Sequence, residues 1–261
     1  MIEHTVSILW SGGWDGTFRL LQLATEPICI QPIYVIDENR QSLEFEKGSM
    51  QKILDIVSSN GEGQYSFRAK ILDIKYYKKM DILHDYQNDE ISDAFRYLRE
   101  KYAIGIQSEW FALLAKHLGL RLEIGTVHQY HGKVENAIEM EGILTLIPND
   151  ILPGRYQVLP KGDNYNASLV FGDLIFPIIK LTKKDEERIA RENGWLDIMK
   201  LTWFCHTPID GEPCGLCGPC DDAMNTGMEW RMPPKAQRRY KHKDFYLFIR
   251  KVRRHLPFKK G

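Results

Sequence analysis

Two spacings of apolar residues alternate along the chain. Apolar runs at 5–10 (Val6, Ile8, Leu9, Trp10), 122–127 and 174–179 read as strands. The nearly unbroken run at 28–36 reads as a central parallel strand covered on both faces. Pro32 has no N–H to give inside that run and predicts a bulge or a late start. Residues 67–74 alternate polar and apolar and supply a further strand. Helical spacing fills the gaps: 16–24 (Phe18, Leu20, Leu21, Leu23), 44–59 (Phe45, Ile53, Leu54, Ile56, Val57), 91–98, 106–118 and a short 134–141. Thr182 followed by Asp185, Glu186 and Glu187 marks one more helix start, and Asn193-Gly194 its stop. Residues 76–89 show no period and read as a loop or lid over the strand ends, and 142–172 as irregular chain. The alternation predicts an α/β fold, a doubly wound parallel sheet of five strands joined by right-handed crossovers.

Composition narrows the class. The chain has 261 residues, enough for one sizeable α/β domain and an appendage, with the 43% hydrophobic and 27% charged content of a soluble globular protein. No apolar run is long enough to predict a membrane span, and Glu3 and His4 ahead of the first strand do not form a signal peptide, so a cytoplasmic protein is expected. The net charge of zero hides an asymmetry. From Glu229 onward twelve Lys or Arg face only Glu229 and Asp244. Interleaved with Tyr240, Phe245, Leu247, Phe248, Val252 and Leu256, these residues predict a basic amphipathic helical tail. It could meet RNA or DNA, an acidic protein or a membrane surface; packing on the acidic body or across a homodimer interface is favoured, because so many aromatics need burial.

Four of the five cysteines fall within sixteen residues, as Cys205-x8-Cys214-x2-Cys217-x2-Cys220. Four thiolates at this spacing can close on one tetrahedral Zn²⁺, with Gly215 and Gly218 allowing the turns. A filled sphere leaves no place for water, so the metal is structural; a [4Fe–4S] cluster is the other occupant such thiolates accept. His206 is too close to Cys205 along the chain to replace a ligand. Cys29, inside a strand, reads as a buried small hydrophobe.

The first strand leads into Ser11-Gly12-Gly13-Trp14-Asp15-Gly16-Thr17 and then a helix, an arrangement whose backbone N–H groups suit a phosphate. The stretch resembles the pyrophosphate loop of N-type ATP pyrophosphatases. That resemblance implies an adenine nucleotide alpha hydrolase-like fold in which Gly12, Gly13 and Gly16 let the loop hold pyrophosphate. It also implies that Ser11 and Thr17 add hydroxyls, Asp15 helps place Mg²⁺, and Tyr34, Val35 and Ile36 hold adenine by backbone contacts. Gly16 stands where that family usually has Ser. Arg40, at the end of the second strand, is a candidate phosphate or substrate contact.

Together, the loop, the block from His117 to Gly125, and the block from Phe176 through Lys183 to Cys220 resemble the 7-cyano-7-deazaguanine synthase family over most of residues 5–226. The resemblance implies ATP-dependent adenylation of a carboxylate, 7-carboxy-7-deazaguanine or a related acid, and displacement of AMP by ammonia or another amine, with ATP, Mg²⁺ and Zn²⁺ as cofactors. It makes Asp15 and Lys183 catalytic, places Gly125 at the nucleotide and assigns the four cysteines to zinc. The family's Arg-Asn pair is missing here, at Tyr102 to Gln107, so Gln107, Glu109 and His128 are the candidate substrate contacts, with His131 nearby. The expected organisation is an ATP pyrophosphatase domain over 1–200, a four-cysteine zinc-binding module over 201–226 and a tail over 227–261. Two other readings stand beside it: a tRNA- or nucleotide-modifying enzyme that transfers sulfur, and a non-catalytic nucleotide-binding module.

Overall fold

The computed structural model describes residues 4–129, 132–150 and 152–255. It is a mixed α/β fold around a parallel sheet. Chain order gives β1 (Thr5–Leu9), α1 (Trp14–Ala24), β2 (Cys29–Ile36) and α2 (Leu43–Ser58), followed by β3 (Lys70–Ile71), β4 (Lys75–Lys78), α3 (Lys79–Asp85), α4 (Asp89–Tyr102), α5 (Gln107–Leu118) and β5 (Leu122–Ile124). After these come α6 (Lys133–Glu141), the hairpin β6 (Gly142–Leu146) and β7 (Tyr156–Pro160), α7 (Asn166–Phe171), β8 (Leu174–Ile175), α8 (Lys183–Glu192) and α9 (Leu196–Met199). The chain closes with α10 (Gly218–Asn225), α11 (Pro234–Lys241) and α12 (Lys243–His255).

The main sheet runs β3-β2-β1-β5-β8, and β4 also pairs with β2. It therefore holds six strands rather than five: within the stretch expected at 67–74 only β3 forms, and β4 follows as a separate strand split from it. Gln31 and Pro32 explain the split. β2 pairs with β3 through Cys29 and Ile30 and with β4 from Ile33 onward, so both residues fall in the gap. There Pro32 needs no donor on that side, and Gln31 Nε2 bridges the gap to Asp73 O at 2.7 Å. Pro32 still sits in register opposite Ile8 of β1, so neither the bulge nor the late start occurs. The lid expected at 76–89 is instead β4 and α3, and the irregular 142–172 contains the antiparallel hairpin and α7. Period-based reading missed the hairpin because both of its faces carry apolar residues: Val158 is buried while Ile143 and Leu159 are exposed.

Two apolar clusters cover the sheet. One joins α1 and α2 to β1, and it also takes in Cys205, Cys214, Leu216, Met228, Met232 and Ala236. The segment after α9 is thus built onto the body through a shared core. The other holds α4, α5, α7 and the far side of β5 and β8. α11 is seated by Ala236, which is buried, and by Arg239, which donates to Pro213 O and Cys214 O. α12 is different: Tyr246 meets the core, but Phe245 and Phe248 are more than 60% exposed and Leu247 is exposed too. The expected burial of the tail's aromatics therefore holds for one of these α12 residues only; Val252 and Leu256 lie beyond the described side chains. No described helix is long and apolar enough to cross a membrane.

Candidate functional site

β1 delivers the chain to the carboxyl edge of the sheet, where Trp10 N donates to Ile33 O at 2.8 Å. Gly12 then turns it with φ +70°. A Cβ there would lie 3.0 Å from Met50 Cγ and 3.1 Å from Glu46 O, so this close turn over α2 requires glycine. α1 begins at once, with no side-chain cap at its N-terminus and Asp15 in its first turn. The first-turn N–H groups of such a helix lack intrahelical partners and carry the positive end of its dipole. Across the loop, Gly125 follows β5. A Cβ on it would stand 2.7 Å from Gly16 N, so only glycine lets β5 approach the start of α1 this closely.

The loop floors a two-lobed cleft. One lobe, of about 200 Å³, runs from Leu9–Ser11 past Ile33, Tyr34 and Val35 to Trp110, Phe111 and Gly125. The other, of about 660 Å³, runs from Asp15 and Lys183 to Trp203, His206, Asp222 and Arg231. Ser11, Gly13, Trp14, Asp15, Arg40 and Gln107 line both.

The second lobe is electrostatically loaded. Lys183 opens α8 behind a capping box made by Thr182 and Asp185, and its ammonium pairs with the Asp15 carboxylate 168 residues away. Burial pulls the Lys183 ammonium down, but Asp15 and Glu186 outweigh it, and its pKa ends above the ordinary value. Glu186, one turn along α8, is fully buried and neither of its oxygens completes a hydrogen bond; the indole N–H of Trp14, also buried and without a completed bond, is the nearby donor that favours its charge. Burial, and then the neighbouring Asp15 charge, push the Glu186 carboxyl well above the usual carboxylate range. Asp222 is raised by burial as well, and His206 is lowered by burial and by Arg40. On the opposite wall Glu46 is buried but satisfied: Tyr34 Oη and Ser42 Oγ each donate to it at 2.6 Å, and Arg40 lies at 3.4 Å.

Most of the residues singled out from the sequence meet here. Ser11, Gly13, Asp15, Gly16, Tyr34, Val35, Arg40, Gln107 and Gly125 line the cleft, as does Lys183, and Gly12 shapes the loop from beneath. Four do not reach it. Thr17 is fully buried and its hydroxyl accepts from Trp10 Nε1 at 3.0 Å, so it does not replace the missing serine at position 16. Ile36 turns into the apolar cluster. Glu109 is half-buried along α5 and lines neither lobe. His128 is exposed and bonded to Glu135 at 2.8 Å. His131 lies outside the described residues. Reading by motif missed Glu186, Trp14, Glu46, Trp203, Asp222 and Arg231. Glu186 had one signal, its position one turn after Lys183; Arg231 had none, because only tertiary packing brings it to α1.

The four cysteines form a candidate metal centre. Their sulfurs lie within 4.8 Å of one another. Separations of 3.8 Å for Cys214–Cys220, 3.9 Å for Cys205–Cys217 and 3.5 Å for Cys217–Cys220 bracket the ~3.8 Å expected between sulfurs of a tetrahedron with 2.3 Å bonds. Backbone N–H groups of Leu216 and Cys217 donate to Cys214 Sγ at 3.2 and 3.3 Å, and Gly215 N donates to Cys220 Sγ at 3.4 Å. These donors favour thiolates and fix their directions, so the residues fit a metal ion. The centre also holds the cleft wall, because Cys217 caps α10 and Gly218, Pro219 and Asp222 face the larger lobe. Trp203 N, two residues before Cys205, donates to Gly12 O at 3.0 Å and ties this segment to the loop.

No family model matches this chain, and no curated protein matches it.

Proposed function

We propose that this chain is an ATP-dependent ligase of the N-type ATP pyrophosphatase kind, related to 7-cyano-7-deazaguanine synthase, with structural zinc at the four cysteines. It adenylates a carboxylate, 7-carboxy-7-deazaguanine or a related acid, and releases AMP to ammonia or another amine. The observation that carries the reading is the uncapped N-terminus of α1 at the carboxyl end of β1, with Lys183 brought to Asp15 from the far side of the sheet. The strand order supports the finer fold reading, a doubly wound sheet of the adenine nucleotide alpha hydrolase kind, since the chain leaves β1 first toward β2 and later toward β5 and β8.

In this reading the smaller lobe takes adenine along Ile33–Val35, and the loop takes the phosphates. The acid's carboxylate oxygen attacks the α-phosphorus and the bond to pyrophosphate breaks, its electrons leaving with the pyrophosphate. First-turn N–H groups of α1 and the Lys183 ammonium are aimed where that charge develops. Mg²⁺ at Asp15 would neutralise phosphate charge and draw Asp15 away from Lys183. The nitrogen lone pair then attacks the acyl carbon, AMP leaves with the carbon–oxygen electrons, and the nitrogen gives up a proton. Adenylation and dehydration of the resulting amide would give the nitrile. Sulfur transfer fits less well, because Cys29 pairs with Thr5 at the opposite, amino-terminal edge of the sheet.

The test is incubation with Mg-ATP, ammonia and 7-carboxy-7-deazaguanine, reading pyrophosphate and product mass together. Acid-dependent pyrophosphate release that falls about 100-fold or more in Asp15→Ala and Lys183→Ala supports the reading. Turnover that survives Asp15→Ala overturns the assignment of the loop.

A further inference from the structure

Arg231 is a partly buried cation that lines the cleft and has no ion-pair partner among the described residues. It ends the short 3-10 turn Glu229–Arg231 that follows α10. Its guanidinium lies over two aromatic rings, with Cζ 4.8 Å from the centre of Trp14 and 4.5 Å from that of Phe204. Nη2 donates to Thr202 O at 3.0 Å and to Thr202 Oγ1 at 2.6 Å. Nε and Nη1 make no hydrogen bond among the described residues, and Arg231 forms no ion pair with any described carboxylate. Burial lowers its pKa to about 10, with the nearby Asp15 and Glu186 charges opposing the fall.

A partly enclosed guanidinium beside a cleft is open to an anion, whereas the more enclosed Arg19 and Arg155 are already taken by Glu123. Two ring contacts and the Thr202 bonds hold the guanidinium in place and leave Nε and Nη1 for bonding. A planar fork held this way suits two oxygens of a phosphate better than a single carbonyl. The fork lines the same lobe as Ser11, Gly13, Asp15 and Lys183, and Trp14, on which it stacks, is the first residue of α1.

We infer that Arg231 is a ligand of the nucleotide's polyphosphate, closing the phosphate site from the side opposite Lys183. The inference rests on the ATP reading for the identity of the anion. It also gives the cysteine module a part in nucleotide binding, because α10 carries Cys220 and leads into the 3-10 turn that carries Arg231.

The experiment is calorimetric titration of the metal-loaded full chain with ATP, inorganic pyrophosphate and adenosine, for wild type, Arg231→Met, Arg231→Lys and Lys183→Ala. The expected result is that Arg231→Met weakens ATP and pyrophosphate by about tenfold or more, and Arg231→Lys by less, since a point charge replaces the fork. Adenosine binding should stay unchanged in both. Equal loss of adenosine and ATP would mean that Arg231 only staples Thr202 to Trp14 and Phe204, which overturns the inference. ATP binding lost in Lys183→Ala but intact in Arg231→Met overturns it while leaving the ATP reading in place. Pyrophosphate held through Arg231 with no ATP binding supports the phosphate ligand and removes the ATP reading. A wild type that binds none of the three overturns both.

Discussion

Glu141 and Glu186 are both buried glutamates near the end of a chain element, and they are treated in opposite ways. Glu141, closing α6, is met by Lys101 at 2.7 Å, by the hydroxyls of Tyr97 and Tyr102, and by the Asn164 amide. Burial works against its charge, but these donors win and hold the carboxyl at about 2. It is closed off by the side chains that bind it rather than by depth, and the Lys101 beside it is half exposed. Glu186 has only the Trp14 indole N–H nearby, without a completed hydrogen bond, and a carboxylate neighbour, and its carboxyl moves up. The first carboxylate joins α4, α6 and the turn that follows β7. The second lines up with Asp15 and Lys183 near the glycine loop, where fixed, unsatisfied polarity is available to a ligand. A fold that satisfies its polar groups elsewhere and leaves them unpaired at one cleft marks that cleft as functional.

The comparison can be broken hardest at the cysteines, four clustered sulfurs that fit a metal ion. Chelation, or Cys214→Ser, is expected to lower the unfolding midpoint by about 10 °C or more and to release one metal ion per chain. Calorimetry with a colorimetric metal assay checks both, and a chain that loses the ion without a change in midpoint would detach the module from the fold. Next comes Glu123, fully buried between Arg19 and Arg155 at 2.7 and 2.8 Å. Glu123→Ala strands Arg19 and leaves Arg155 with Asp150 alone, and is expected to cost about 4 kcal/mol in urea unfolding. Glu141→Gln is smaller, about 2 kcal/mol, because Lys101 is partly screened. Its carboxyl is lower in the folded state than in the unfolded chain. The stability it adds is therefore complete above about pH 4.5 and fades as pH falls toward about 2. The penalty of Glu141→Gln should shrink over that interval.

The sequence made the scaffold of the cleft legible, because its parts are local. The glycine turn after β1, the helix behind Thr182 and the Cys-x2-Cys-x2-Cys spacing each depend on residues a few positions apart. Parts assembled over long separations were not legible. Pro32 was read as a fault in β2, yet it falls in a gap created by β3 and β4. The Thr17 hydroxyl was assigned to a ligand, yet Trp10, seven residues earlier, claims it. Arg231 gave no local signal, since its partners Trp14 and Thr202 are set by the packing of the whole C-terminal segment. His128 was chosen for lying just past β5, and Glu135 on the next helix takes it away.

The smallest effect is the sharpest test of the two glutamates. Glu186→Gln keeps the shape of a residue that nothing bonds and removes its charge from beside Asp15. It should therefore leave stability unchanged or raise it by about 1 kcal/mol at pH 7, where most buried substitutions destabilise. The sign of the pH dependence follows from the direction of the shift. A carboxyl whose pKa is higher in the folded state than in the unfolded chain disfavours folding once the unfolded form ionises, so the cost grows as pH rises above about 4.5. The advantage of Glu186→Gln should accordingly be absent at pH 4 and largest near neutrality, the reverse of the trend at Glu141. Urea unfolding of both variants at pH 4 and pH 7 reads the two slopes side by side. If Glu186→Gln costs as much as Glu141→Gln and the two follow pH in the same direction, Glu186 is satisfied in solution and the contrast between scaffold and cleft fails. Opposite slopes, with ATP binding weakened only in Glu186→Gln, would tie the unpaired carboxylate to the work of the phosphate site.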